Sequence, residues 1–153
     1  MLRKLFTAAV LLFVTATPAL AIEADAVNNV DKIALKGFDP VAYFADNKPR
    51  KGDPGITSKY QGVIYEFASK DHKAAFDANP TKYIPRYNGF CAFGVSNGLK
   101  IDIDPHDYSI DDGKLNVFFS DDARDTYEAD YKNKSQEAEK KWPAVKKQTK
   151  VIR

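Results

Sequence analysis

Leu99-Lys100-Ile101-Asp102-Ile103-Asp104, followed by Ser109-Ile-Asp-Asp-Gly-Lys-Leu-Asn-Val-Phe-Phe-Ser120, is the stretch from which the fold is read. Leu99, Ile101 and Ile103 alternate with Lys100, Asp102 and Asp104, the period of a half-exposed strand, and Asn97-Gly98 before them reads as a turn. Asp112-Gly113 is the strongest short hairpin signal in the chain, with Leu115, Val117 and Phe119 on the returning strand. After Ser120 the period becomes helical. Ala123, Tyr127 and Tyr131 recur at spacing four, and Glu128–Lys132 and Glu137–Lys141 are correctly oriented i,i+4 pairs. Trp142 closes the periodic part, because Pro143 disfavours helix in the residue before it. Beyond Gln148 the tail is basic and reads as a frayed end.

Working back from there, Phe90 to Val95 is apolar on both alternating faces apart from Gly94, as a strand covered on both sides requires, and Cys91 lies inside it. Ile56 to Phe67 has period two around a Gln61-Gly62 break, a second hairpin. Ser69 is an N-cap, and the helix it opens, Lys70 to about Ala78, puts His72, Ala75, Phe76 and Asn79 along one side. Asn79-Pro80 starts a short turn ending at Tyr83. Asp39-Pro40 before Val-Ala-Tyr-Phe fits another short helix, with Asp accepting first-turn amides. No internal repeat is read. The expectation is α+β: a small antiparallel sheet flanked by short helices, with a C-terminal helical segment.

The 153 residues suit one domain with one hydrophobic core. At 29% charged, 44% hydrophobic and a mean hydropathy of −0.45, disorder and a polytopic membrane protein are excluded. Met-Leu-Arg-Lys, an apolar run from Leu5 to Val14, and small residues at Ala19 and Ala21 read as a secretory signal cleaved after Ala21. A periplasmic or extracellular location follows, with no stable membrane insertion after cleavage. Without Arg3 and Lys4, 21 basic residues balance 21 acidic ones, so nothing electrostatic points to nucleic acid. The expected organisation is a leader over 1–21, a flexible lead-in over 22–32, one domain over 33–148 and a basic tail over 149–153.

Several short motifs stand in order along this domain. They are Gly37-Phe38-Asp39-Pro40-Val41-Ala42-Tyr43-Phe44, Tyr60-Gln61-Gly62 with Tyr65-Glu66-Phe67, and Phe76 with Asn79-Pro80 and Tyr83. They continue with Asn88-Gly89-Phe90-Cys91-Ala92-Phe93, Asp112-Gly113-Lys114-Leu115 and Trp142-Pro143. Together they resemble the small secreted members of the YHS-domain family, over about residues 33–145. Asn88, Phe90, Tyr108 and Asn116-Val117-Phe118 depart from that pattern. The resemblance implies metal binding in cysteine-bearing members, whose pattern is Asp-Pro-Val-Cys and then Phe-Cys-Ser-x-x-Cys. In this chain Ala42, Ala68 and His72 stand at those cysteine positions, which excludes a tetrahedral thiolate zinc site.

The soft or borderline ligands left in the motif-bearing core are Cys91 and His72. A Cys–His pair suits copper or another transition metal, and it also suits thiolate activation in a thiol-dependent enzyme. Against both stands a packed Cys91 in a metal-free structural or protein-interaction domain, with His72 beside Phe76. The expected function is an exported, non-enzymatic binding module for a transition metal such as copper, with Cys91 and His72 as metal ligands and a metal ion or protein as partner. Asp102, Asp104, His106, Asp107, Asp111 and Asp112 invite a calcium reading, but the spacing fails the EF-hand loop. The many aromatics are core, or line a pocket for a flat ligand such as haem or a quinone. Asn133-Lys134-Ser135 matches a glycosylation sequon. No nucleophile elbow, phosphate loop or dinucleotide fingerprint occurs.

Overall fold

A computed structural model describes residues 27–153; the leader over 1–21 and the start of the lead-in lie outside the described residues. The elements are β1 (Asn29–Val30), β2 (Ile33–Ala34), α1 (Ala42–Ala45), β3 (Asp53–Tyr60), β4 (Val63–Phe67), α2 (Lys70–Ala78) and α3 (Pro80–Tyr83). Then follow α4 (Ala92–Ser96), β5 (Asp104–Asp111), β6 (Lys114–Phe118), α5 (Asp121–Ala129) and α6 (Tyr131–Val145). The fold is α+β, with one sheet in the order β1-β2-β4-β3 and a separate β5-β6 hairpin. β2 joins β4 in parallel, so the first sheet is mixed rather than antiparallel throughout. Among the described residues no helix is long and apolar enough to cross a membrane.

Both hairpins turn on two residues with positive φ, Gln61-Gly62 (50° and 81°) and Asp112-Gly113 (52° and 69°), whose twist matches that of the flanking strands. Each is followed by a serine-capped helix of nine residues. Ser69 Oγ accepts from the His72 amide, and Ser120 Oγ from the Ala123 amide.

Contrary to the repeat-free reading of the sequence, these two units are copies of one another, 51 residues apart. Asp53 pairs with Phe67 and, after a bulge, Thr57 with Glu66 through Tyr60 with Val63. Asp104 pairs with Phe118 and, after a bulge at the same place, Tyr108 with Val117 through Asp111 with Lys114. The likeness extends upstream. A 3-10 turn at Leu35–Gly37 has φ of 51°, 52° and 78°, and one at Arg86–Gly89 ends on Tyr87, Asn88 and Gly89 with φ of 53°, 53° and 79°. After each comes a phenylalanine, Phe38 or Phe90, then a capping residue, Asp39 or Cys91, then a short helix, α1 or α4.

Four expectations fail in the second half. The run from Phe90 to Val95 is not a strand but the cap and body of α4, since a short buried apolar run looks the same in either state. Asn97-Gly98 is the end of that helix: Gly98 N–H donates to Val95 O and Leu99 N–H to Gly94 O, the paired bonds of a helix stop. Leu99–Ile103 therefore does not form a hairpin arm. The tail beyond Gln148 is not frayed, because Ile152 N–H donates to Lys100 O (2.9 Å) and Ile152 O accepts from Asp102 N–H (2.8 Å), laying Ile152 parallel beside Ile101. α6 also continues past Trp142 through Pro143 to Val145; a proline this near a helix end forfeits one amide bond only. The lead-in is packed from Val27, which is buried, and β1 starts at Asn29.

Each half has a core. Val41, Val63, Tyr65, Phe67 and Phe76 build the first, and Phe90, Val95, Leu115, Val117, Phe118 and Tyr127 the second, which α6 closes with Ala138 and Val145. Tyr43 of α1 crosses into the second core and donates its hydroxyl to Pro105 O (2.9 Å). A polar tie runs alongside: Asp102 accepts from Asn28 Nδ2 (2.9 Å) and pairs with Lys36 Nζ (3.0 Å).

Burial pushes the Asp102 carboxyl up, but the Asn28 amide, the Ile103 backbone and the Lys36 ammonium outweigh it and hold it below the ordinary carboxylate range. A carboxyl depressed in the fold stabilises above its unfolded value, about 3.9, and loses that contribution as pH falls through the folded value. Thermal melts between neutral and strongly acid pH are thus expected to show a steeper acid loss in the wild type than in Asp102→Asn. Parallel profiles would mean that the tie contributes nothing.

Candidate functional site

The capping residues of the two halves occupy matching seats. Asp39 follows the first 3-10 turn, and its backbone N–H donates to Arg50 O (2.8 Å). Its side chain is fully buried. Oδ1 accepts from the amides of Val41 (2.8 Å) and Ala42 (3.4 Å), and Oδ2 accepts from the amide of Ala68 (2.8 Å). His72, in the first turn of α2, brings Nδ1 to 2.6 Å from the same Oδ2, with its side chain 15% exposed. A carboxylate can only accept, so Nδ1 is the ring nitrogen that donates to it, and Nε2 is the nitrogen left over.

Cys91 follows the second turn, and its N–H donates to Ile101 O (3.0 Å), the counterpart of the Asp39–Arg50 bond. Its Sγ accepts from the amide of Gly94 (3.4 Å) as N-cap of α4, and the residue is 1% exposed. Burial pushes the thiol up, while the amides of Gly94, Phe119 and Phe93 pull the other way. Those amides correspond in order to Ala42, Ala68 and Val41 of the first half. What does not correspond is the fourth partner, since Ala123 of α5 stands where His72 stands in α2. Beside Cys91 is a cavity of about 300 Å³, lined by Phe93, Ile101, Phe119, Ser120 and Ala123, with Asp122 and Thr126 toward the solvent.

The structure thus seats His72 against Asp39 and Cys91 against Gly94, each in its own half. Among the described residues no group of three or more His, Cys, Asp or Glu side chains is placed to hold a metal ion. Cys91 is an N-cap, not a member of a central strand. The acidic stretch is divided among separate partners: Asp104 accepts from His106, Asp107 pairs with Arg124, Asp111 accepts from Ser109 and Asn116, and Asp112 accepts from Tyr131. Tyr43, Tyr65, Phe67, Tyr83, Tyr87 and Phe90 are buried, with ring contacts such as Tyr65 on Phe76 (4.9 Å) and Tyr43 on Tyr108 (4.9 Å). The residue that the sequence reading left out of the site is Asp39. Its signal is the match of Gly37-Phe38-Asp39 to Gly89-Phe90-Cys91, seconded by Phe67-x-Ser69 and Phe118-x-Ser120.

No protein-family model matches the chain, and neither a curated protein nor a solved structure does.

Proposed function

We propose that this chain is an exported, non-enzymatic binding module of the YHS type, in which Asp39 and Cys91 are the caps that organise its two halves. One observation carries the reading: the Cys91 sulfur takes the place of the Asp39 carboxylate, beside the corresponding amides. A buried thiol pushed toward its neutral form is a poor nucleophile and a poor metal ligand, because both tasks need the thiolate.

A second reading keeps a transition metal such as copper, and it is favoured by the Asp39–His72 bond. Histidines that bind metals commonly donate their other N–H to a carboxylate, which fixes the ring and leaves Nε2 for the ion. The two readings part in native mass spectrometry of protein taken from the periplasm before any chelator is added. The cap reading expects the metal-free mass for wild type, and expects Cys91→Ser to lose stability. One copper per chain in wild type, absent in His72→Ala, would overturn it in favour of the metal.

A further inference from the structure

We infer that the cavity beside Cys91 is a ligand seat for a small, uncharged azole, a five-membered aromatic ring with one N–H to donate. The first half shows what such a seat holds. There the equivalent space, between the capping residue, its three amides and the first turn of the following helix, is occupied by the His72 imidazole, whose Nδ1 lies 2.6 Å from Asp39. The second half keeps the amides, the serine-capped helix and the acceptor atom, now sulfur, and replaces the ring by the methyl group of Ala123. The cavity of about 300 Å³ lies at that replacement.

The substitutions around it set the chemistry of the occupant. Arg50 and Ala68 of the first half correspond to Ile101 and Phe119, so the second seat has apolar walls, of which Phe119 is half exposed and Phe93 carries the Lys134 ammonium 5.4 Å from its ring centre. Of its hydroxyls, Thr126 Oγ1 donates to Asp122 O (2.8 Å) and Ser120 Oγ accepts from the Ala123 amide. Asp122, the charged residue at the rim, is exposed. A cationic ring would lie against Phe93 and Ile101, near the Lys134 ammonium and without a buried carboxylate, which selects a neutral one. Its N–H faces Cys91 Sγ, as His72 Nδ1 faces Asp39. This goes beyond the binding-module reading and rests on it only in taking the thiol as neutral.

The test is a 15N–1H chemical-shift titration of the full-length mature protein with pyrazole, an N–H azole uncharged at neutral pH. Saturable shifts centred on Cys91, Phe119 and Ala123 are expected in about the millimolar range, as a ligand of five heavy atoms allows. In Ala123→His, where the chain supplies its own ring, affinity should fall at least tenfold; if that variant loses its dispersed spectrum, Ala123→Val gives the same comparison. N-methylpyrazole, which lacks the donor, should bind more weakly than pyrazole. The seat is refuted by the absence of saturable shifts there, by shifts that persist in the filled variants, or by equal binding of the methylated probe. A copper ion found on His72 would instead sink the proposed function and leave this seat untouched.

Discussion

Asp39→Ala is expected to cost the fold about 3–5 kcal/mol, the scale for removing one partner of a buried, fully hydrogen-bonded charged group. The substitution strands the amides of Val41, Ala42 and Ala68 together with His72 Nδ1, all served by a carboxylate that is itself fully buried. α1 would lose its cap, and the first turn of α2 would lose its hold on the 3-10 turn. Cys91→Ala at the matching place should cost less, about 1–2 kcal/mol, because one sulfur and weak N–H···S bonds are lost rather than a carboxylate with four donors. Urea unfolding of the two variants checks the ranking, and equal midpoints would show that the two seats are not energetically distinct.

Gly52→Ala is expected to exceed about 3 kcal/mol, or to prevent folding, because overpacking against backbone leaves no side chain to yield. A Cβ at this position would stand 2.5 Å from the carbonyl carbon and 2.5 Å from the Cβ of Glu66, in β4. The neighbouring Gly52 N–H bond to Gly37 O (2.8 Å) fixes the strand that would have to retreat. Gly113→Ala offers the contrast: nothing lies within 4 Å of the added carbon, and the cost, about 1 kcal/mol, comes from φ of +69° alone. Guanidinium denaturation of both variants separates collision from dihedral strain. A Gly52 variant no worse than the Gly113 variant would mean that β4 yields by several tenths of an ångström at little cost.

Where the sequence was informative, a single physical signal had no rival. Asp112-Gly113 and Gln61-Gly62 demand positive φ, Ser69 offers an oxygen to free amides, and Lys70–Ala78 has a helix period without interruption; all appear as expected. The second half misled because its signals admit two states. The short apolar run from Phe90 to Val95 suits a buried strand or a buried helix, and Asn-Gly suits a hairpin or a helix end. Bonds from Leu99 and Gly98 back to Gly94 and Val95 decide for the helix, and they are invisible in a linear pattern. The alternation of Leu99, Ile101 and Ile103 is real, but its pairing partner is Ile152, far along the chain.

The repeat is hidden in the sequence for a similar reason. What the halves share is punctuation: Asp53-Pro54 and Asp104-Pro105, Gly62 and Gly113, Phe67-x-Ser69 and Phe118-x-Ser120. Their cores have diverged, with Tyr65 answered by Asn116 and Phe76 by Tyr127, so a search for matching apolar residues finds little. The site was half legible for the same cause. His72 and Cys91 stand out by residue type, whereas Asp39 looks like an ordinary helix cap until its four donors are seen together.

The bond between Ile152 and the segment Lys100–Asp102 gives the polypeptide a direction in time. Every buried member of the first core precedes residue 84, so that half can condense while later residues are still being made, as N-terminal units commonly do. The second core waits for Ala138 and Val145, and the backbone of Lys100 and Asp102 waits longer still, for Ile152. Until then a short extended stretch shows unmet hydrogen-bonding groups, the usual template for wrong pairing between chains. Closing this segment thus requires Ile152, so the second half is complete only when the end of the chain is in place.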